Sequence, residues 1–286
     1  VRRGGEVVVP QPVMHELRLF FVALQFLTRV PVPHWVGFEP TWLQACLRHF
    51  PLVGACIGTW AAAVLWAALA LWPPLVAAVL STMATVWLTG AFHEDGLADT
   101  FDALGGAVGR ERALAIMKDS RIGSYGAAAL MLVLVLKISV VAALATPAGP
   151  AGAVQAGMAL VWAHAVSRAT PLWLVSRLPY AGDAEHAKAK PLAMQVSQAG
   201  LAVAAAWVVA ISVAAAGLID GWPSAGGSHG PRVVLVGGLA SAGAAWLCLR
   251  WLRRRLGGFT GDTLGAAQQL TEAAALLAWL GVAEAR

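Results

Sequence analysis

Seven stretches of almost unbroken apolar sequence fix the solvent in which this chain folds. Hydrocarbon offers no partners to a peptide group, so a span must satisfy its own backbone, and a helix does so with about 20 residues per crossing. Breaks in the pattern place the stretches at 51–72, 75–92, 125–146, 154–175, 200–219, 233–249 and 264–282. Hydrophobic residues make up 59% of the chain and charged ones only 12%, where an ordinary soluble domain carries about a quarter. The expected fold is therefore all-α: a polytopic integral membrane protein of about seven transmembrane helices. Pro73-Pro74 makes the first two a tight hairpin. An eighth apolar segment, 17–27, is shorter than a span and ends in Thr28-Arg29-Val30-Pro31-Val32-Pro33, which fits an N-terminal interfacial or re-entrant helix. Residues 1–13 read as a disordered leader, since Arg2-Arg3 has no signal-peptide core beside it, and 14–286 as a single transmembrane helical catalytic domain.

Seven crossings put alternate loops on one side, which allows a test by loop charge. With the N-terminus cytoplasmic, that side receives Arg18, Arg29, Arg48, Arg110, Arg112, Lys118, Arg121, Arg177, Lys188, Lys190, Arg250 and Arg253 to Arg255, whereas the other side receives Arg232 and Arg286. The expected location is the inner membrane with a cytoplasmic N-terminus. The net charge of +5 then belongs to basic loops beside anionic lipid or phosphate, and nucleic acid is the weaker reading. Cys46, Cys56 and Cys248 lack metal-ligand spacing and read as reduced apolar residues; no histidine pattern suggests zinc.

The carboxylates share the basic side. His93-Glu94-Asp95-Gly96-Leu97-Ala98-Asp99-Thr100-Phe101-Asp102 is the densest acidic packet, and its aspartates lie at i, i+4 and i+7, one stripe of a helix. Like charges at that spacing repel, so the stripe is either a solvated helix end or a cation site. Magnesium suits the second reading, because it takes oxygen ligands and bridges one or two carboxylates to substrate phosphates. Glu94 is a further metal candidate, and Gly96 would let a ligand approach the backbone.

Two other packets flank spans. Gly257-Gly258-Phe259-Thr260-Gly261-Asp262-Thr263 opens the last one, where small residues free backbone N–H groups for phosphate at Thr260 and Gly261, and Asp262 either caps the helix or joins the metal. Lys118-Asp119-Ser120-Arg121-Ile122-Gly123-Ser124 precedes the third span. Arg121 offers a planar fork for phosphate, and Asp119 suits a cap or a functional role. Lys137 and Glu272 fall near mid-membrane and Arg168 nearer the cytoplasmic end. Each costs about 2.5 to 3.5 kcal/mol to insert, so each is a functional suspect or part of a buried pair, Lys137 with Glu272, that sets helix register. Arg168 is also expected to contact phosphate.

Together with Glu111-Arg112, Ile116-Met117-Lys118-Asp119-Ser120-Arg121-Ile122-Gly123, Phe50-Pro51-Leu52-Val53-Gly54 and Gly257 to Ala266, the acidic packet resembles the cobalamin synthase family, also called adenosylcobinamide-GDP ribazoletransferases. The similarity covers almost the whole chain from Met14. It implies a membrane enzyme that joins adenosylcobinamide-GDP to alpha-ribazole or its 5'-phosphate, releases GMP and requires Mg2+. On this reading Asp95, Asp99, Asp102 and Asp262 hold the metal on the pyrophosphate. A CDP-alcohol phosphotransferase of lipid synthesis is disfavoured, because Phe92 stands where that pattern needs an Asp and Asp99 where it needs an Arg. A secondary transporter would account for Lys137 and Glu272 but has no need of the acidic packet.

Overall fold

The structure, a computed structural model, describes residues 11–146, 150–182, 195–221 and 229–285. Most of the expected leader, with Lys188, Lys190 and Arg286, lies outside the described residues. Twelve α-helices follow one another: α1 (Gln11–Leu27), α2 (Trp42–Ala45), α3 (Phe50–Leu69), α4 (Pro74–Thr89), α5 (Phe92–Leu104), α6 (Arg110–Met117), α7 (Ser124–Ala145), α8 (Pro150–Ser167), α9 (Thr170–Val175), α10 (Gln198–Asp220), α11 (Gly230–Arg255) and α12 (Gly261–Glu284). Gln11, Pro12 and Val13, expected in the leader, belong to α1, whose apolar stripe Leu19, Val22, Ala23 and Leu27 is buried in the bundle.

Every expected span is helical, but not every one has the length and apolarity of a crossing. Trp42–Leu69, Ser124–Ala145, Gln198–Asp220 and Gly230–Arg255 do, and Pro74–Thr89 with Phe92–Leu104 makes a fifth if that bent pair is one span. The expected span 154–175 is broken: α8 stops at Ser167 and α9 restarts at Thr170. The last one, α12, carries Asp262, Gln268, Gln269 and Glu272. The chain is thus an all-α protein with four or five candidate membrane spans.

Where lipid gives no hydrophobic drive between helices, close packing of small residues does the work. Gly54 and Gly58 let α3 lie directly on the backbone of α8 at His164 and Val161, with no room for a Cβ. Apolar packing divides into a core around α1, the first turns of α3 and the end of α11, and a second between the far halves of α3, α4, α7, α8 and α12. The first core underlies the end of the bundle where the loops carrying the motifs meet.

One corner decides where the acidic packet goes. Gly90 (φ 69°) ends α4 in the left-handed region, and Ala91 (φ 59°) repeats it, so α5 leaves α4 at 89°. A left-handed residue with a Cβ costs about 1 to 2 kcal/mol. Arg29 braces this corner: its backbone N–H donates to the Leu88 carbonyl at 2.8 Å, and its guanidinium lies against Gly90.

Candidate active site

Helix α5 crosses the start of α12 at two glycines. A methyl on Gly96 would lie 2.7 Å from the Asp262 carbonyl oxygen, and one on Gly265 would touch the His93 and Gly96 backbones at 3.4 and 3.5 Å. Gly96 is therefore approached by α12 itself and not, as its sequence context suggests, by a ligand. The consequence is electrostatic, because the crossing sets Asp262 beside Asp95 and Asp99.

These three carboxylates are uncompensated: among the described residues none of them forms an ion pair. Asp99, half-buried, is pushed up to about 7 by burial and by the charges of Asp95, Asp262 and Asp102. Asp262 is raised by its burial and by Asp95, while hydrogen bonds from its own backbone and from Thr260 oppose the rise. Asp95 is exposed. No group of three or more His, Cys, Asp or Glu among the described residues stands in metal-ligating geometry. An all-oxygen set of repelling carboxylates nevertheless fits a hard divalent ion that keeps several waters and takes only one or two protein ligands.

Asp102 and Glu94, expected in the same cluster, are committed elsewhere. Asp102 accepts from the Gly123 N–H at 2.6 Å and the Gly126 N–H at 2.8 Å, so it caps α7 from another helix. Both glycines are required, since a Cβ on either would strike the Asp102 carboxylate. Glu94 points the other way, into the bundle, where its Oε1 accepts from Gln269 Nε2 at 3.1 Å.

The phosphate candidates divide as well. Thr260 is buried as the N-cap of α12 in a reciprocal capping box with Thr263, so that role is not Asp262's; Gly261, next to it, is exposed. Arg121 is 86% exposed and forms a bidentate pair with Asp119, 2.6 Å at its shorter contact. That pair holds the Asp119 carboxyl down to about 2. Of the basic run in the last turn of α11, Arg255 is spent on the Leu104, Gly106 and Val108 carbonyls, and Arg110, at the start of α6, donates to the Leu256 and Ala181 carbonyls. These two arginines gather the loops at the site.

Arg168 does not reach the site's surface. It is 2% exposed, because it sits one turn after His164 on the side of α8 that faces α12. Its Nη1 lies 3.7 Å from Glu272 Oε2, which also takes Gln268 Nε2 at 2.6 Å and lies 3.2 Å from His164 Nδ1. On the other carboxylate oxygen, Glu272 meets Lys137 Nζ at 2.6 Å. The expected Lys137–Glu272 pair is thus present, within a larger network. Lys137 also donates to Gln269 Oε1 at 3.1 Å, which joins that network to Glu94. Sequence reading passed over His164, Gln268 and Gln269, yet His164–Arg168 and Gln268–Glu272 are polar pairs one helical turn apart in apolar surroundings, the signal for such a network.

The family model for cobalamin-5-phosphate synthase matches residues 19–280. Adenosylcobinamide-GDP ribazoletransferase of Leptothrix cholodnii is 59% identical over 267 residues, covering 93% of this chain and 96% of its own. The enzymes of that name from Polaromonas naphthalenivorans and Shewanella sp. strain ANA-3 are 45% and 41% identical, each over 90% of this chain and 95% and 91% of theirs. No solved structure matches.

Proposed function

The chain belongs to the cobalamin-5-phosphate synthase family, and from that premise we propose how its residues carry the family's reaction. It is an adenosylcobinamide-GDP ribazoletransferase: it joins adenosylcobinamide-GDP to ribazole to form adenosylcobalamin. The finer reading has alpha-ribazole or its 5'-phosphate as acceptor, GMP as leaving group and Mg2+ as cofactor. One observation carries its metal: α5 and α12 converge so that Asp95, Asp99 and Asp262 repel one another, and among the described residues none of the three has an ion-pair partner.

One or two of those three carboxylates would hold Mg2+, with water and substrate phosphate completing its shell. Such an ion would supply charge neutralisation to the pyrophosphate. Asp95, exposed and at the first turn of α5, faces an incoming substrate. The base that takes the ribazole hydroxyl proton would be whichever of these carboxylates is not itself a metal ligand. The exposed Gly261 backbone and Arg121, once it exchanges Asp119 for phosphate, orient the diphosphate. Arg110 and Arg255 hold the loops around the site so that these groups converge.

We read the chain as one catalytic unit that makes seven passes, the short α4, α8 and α12 crossing within the bundle. The loops bearing the acidic packet and most of the basic residues then face the cytoplasm, where a nucleotide-activated substrate is available. The test is direct. Detergent-purified protein given adenosylcobinamide-GDP, ribazole phosphate and Mg2+ should release GMP and form the joined product. Omitting Mg2+, or substituting Asp95→Ala, should abolish both. Product formation in EDTA at the full rate would refute the metal assignment.

A further inference from the structure

The interior network and the acidic site meet at one side chain. Gln269 Nε2 donates to Glu94 Oε1 and to Gln268 Oε1, each at 3.1 Å, while its Oε1 accepts from Lys137 Nζ at 3.1 Å. Gln269 is 2% exposed and Glu94 7%, so neither can exchange its partner for water. Glu94 immediately precedes Asp95 on α5, and side chains at i and i+1 on a helix are about 100° apart. Drawing Glu94 inward therefore turns Asp95 outward, toward Asp262. The glycine crossing with α12 sets how closely α5 lies there, but polar anchors at this end are few: the N-cap, Ala91, offers no side-chain bond, and Asp102 lies at the far end, which leaves the Gln269–Glu94 bond as the polar contact that fixes the roll.

We propose that Gln269 is a positioning residue for the reaction: by clamping Glu94 against Lys137 and Gln268 it sets the roll of α5, and so delivers Asp95 and Asp99 to the divalent cation. The inference rests on the metal reading above for its consequence, not for the clamp itself. It assigns Glu94 to the scaffold and removes it from the ligand set. Outer-shell partners of metal ligands commonly change affinity by about 10- to 100-fold when lost.

Mn2+ binding to the purified protein without substrate, and maleimide labelling of a cysteine placed by Ala98→Cys, separate the two parts. Ala98 is buried on α5 and would be exposed by a roll. Labelling uses a background in which Cys46, Cys56 and Cys248 are replaced by Ala. Gln269→Leu should weaken Mn2+ binding about tenfold or more and open position 98 to a water-soluble maleimide. Glu94→Gln keeps an acceptor for Gln269 and should stay within about twofold of the parent, whereas Glu94→Leu should resemble Gln269→Leu. Thr170→Val, which removes a buried 3.2 Å bond between α9 and α12, controls for general loosening and should leave Mn2+ affinity and labelling unchanged. If Gln269→Leu does not fold, Gln269→Asn and Glu94→Gln carry the test. Should position 98 stay protected in the Gln269 variant, or should Glu94→Gln lose Mn2+ as Glu94→Leu does, the proposal is overturned. Opening of position 98 in a protein that binds no Mn2+ at all would uphold the clamp and remove the metal reading instead.

Discussion

Two clusters of charge lie along α12, and they are built on opposite principles. At its first turn Asp262 joins Asp95 and Asp99, and among the described residues no cation pairs with any of them. Two to three turns deeper, Glu272 is enclosed by Lys137, Arg168, His164 and Gln268. In a low-dielectric interior an unpaired charge is unsustainable, so the deep cluster must be balanced by the protein itself. Near water the constraint relaxes, and an unbalanced cluster is sustainable there; the proposed cation would complete it. A carboxylate left unpaired is thus the functional one, and a carboxylate fully paired belongs to the scaffold. Asp102, held by the Gly123 and Gly126 amides, falls with the second by this criterion, while Glu94, bonded by Gln269 through Oε1 alone, stands between the two.

The largest effect should come from the unbalanced cluster. Asp95→Ala is expected to lower turnover about a thousandfold, the rate equivalent of about 4 kcal/mol. Thermal unfolding of the same protein should change little, since Asp95 is exposed and unpaired. Equal losses of stability and activity would erase the distinction between the clusters.

In the deep cluster the signs reverse. Glu272→Leu alone leaves Lys137 and Arg168 buried without their carboxylate and should destabilise by about 3 to 5 kcal/mol; Lys137→Met, which leaves Glu272 with Arg168, should cost less, and the double variant, with one buried cation fewer, should recover part of the Glu272→Leu loss. Denaturant unfolding in detergent measures it. A double variant that is no more stable than Glu272→Leu would mean that the pair is not a unit.

Asp102 gives a finer discrimination. Asp102→Ala should cost about 1 to 2 kcal/mol by uncapping α7, and Asp102→Asn, which retains an acceptor, should restore most of it with Mg2+ affinity near the parent's. Loss of Mg2+ in the Asn variant would return Asp102 to the metal.

The last effect is in pH. The Asp99 carboxyl is raised from 3.8 to about 7, so the metal-free fold binds a proton there that the unfolded chain releases near pH 4. Its contribution therefore favours folding at low pH and is lost as pH rises from about 4 to 7. Mg2+ competes with that proton. Apparent Mg2+ affinity should accordingly rise with pH up to about 7 and level off above it, and Asp99→Asn should flatten the profile.

Much of this was legible from the residues alone, for reasons that differ by element. The apolar stretches marked helical segments at all seven expected places because hydrocarbon leaves the backbone no alternative, although only four or five of them have the length and apolarity of a crossing. The Lys137–Glu272 pair was legible because charges at that depth need each other. Three features were not. Ala91 gives no turn signal, so the 89° corner that lays α5 over α12 was hidden. The stripe of Asp95, Asp99 and Asp102 on one face is real, but spacing says nothing of the Gly123 and Gly126 amides that claim Asp102. Arg168 looked free beside the cytoplasmic end because its partner Glu272 is more than 100 residues away, and only packing brings them together.

The central claim is that a divalent ion sits between α5 and α12. A structure of the protein with Mn2+, read by anomalous scattering, tests it most directly. The expected result is a peak bounded by Asp95, Asp99 and Asp262, with Asp102 still on the α7 amides and Glu94 still on Gln269. A peak held by Glu94 or Asp102, or metal bound only away from α5, would contradict it.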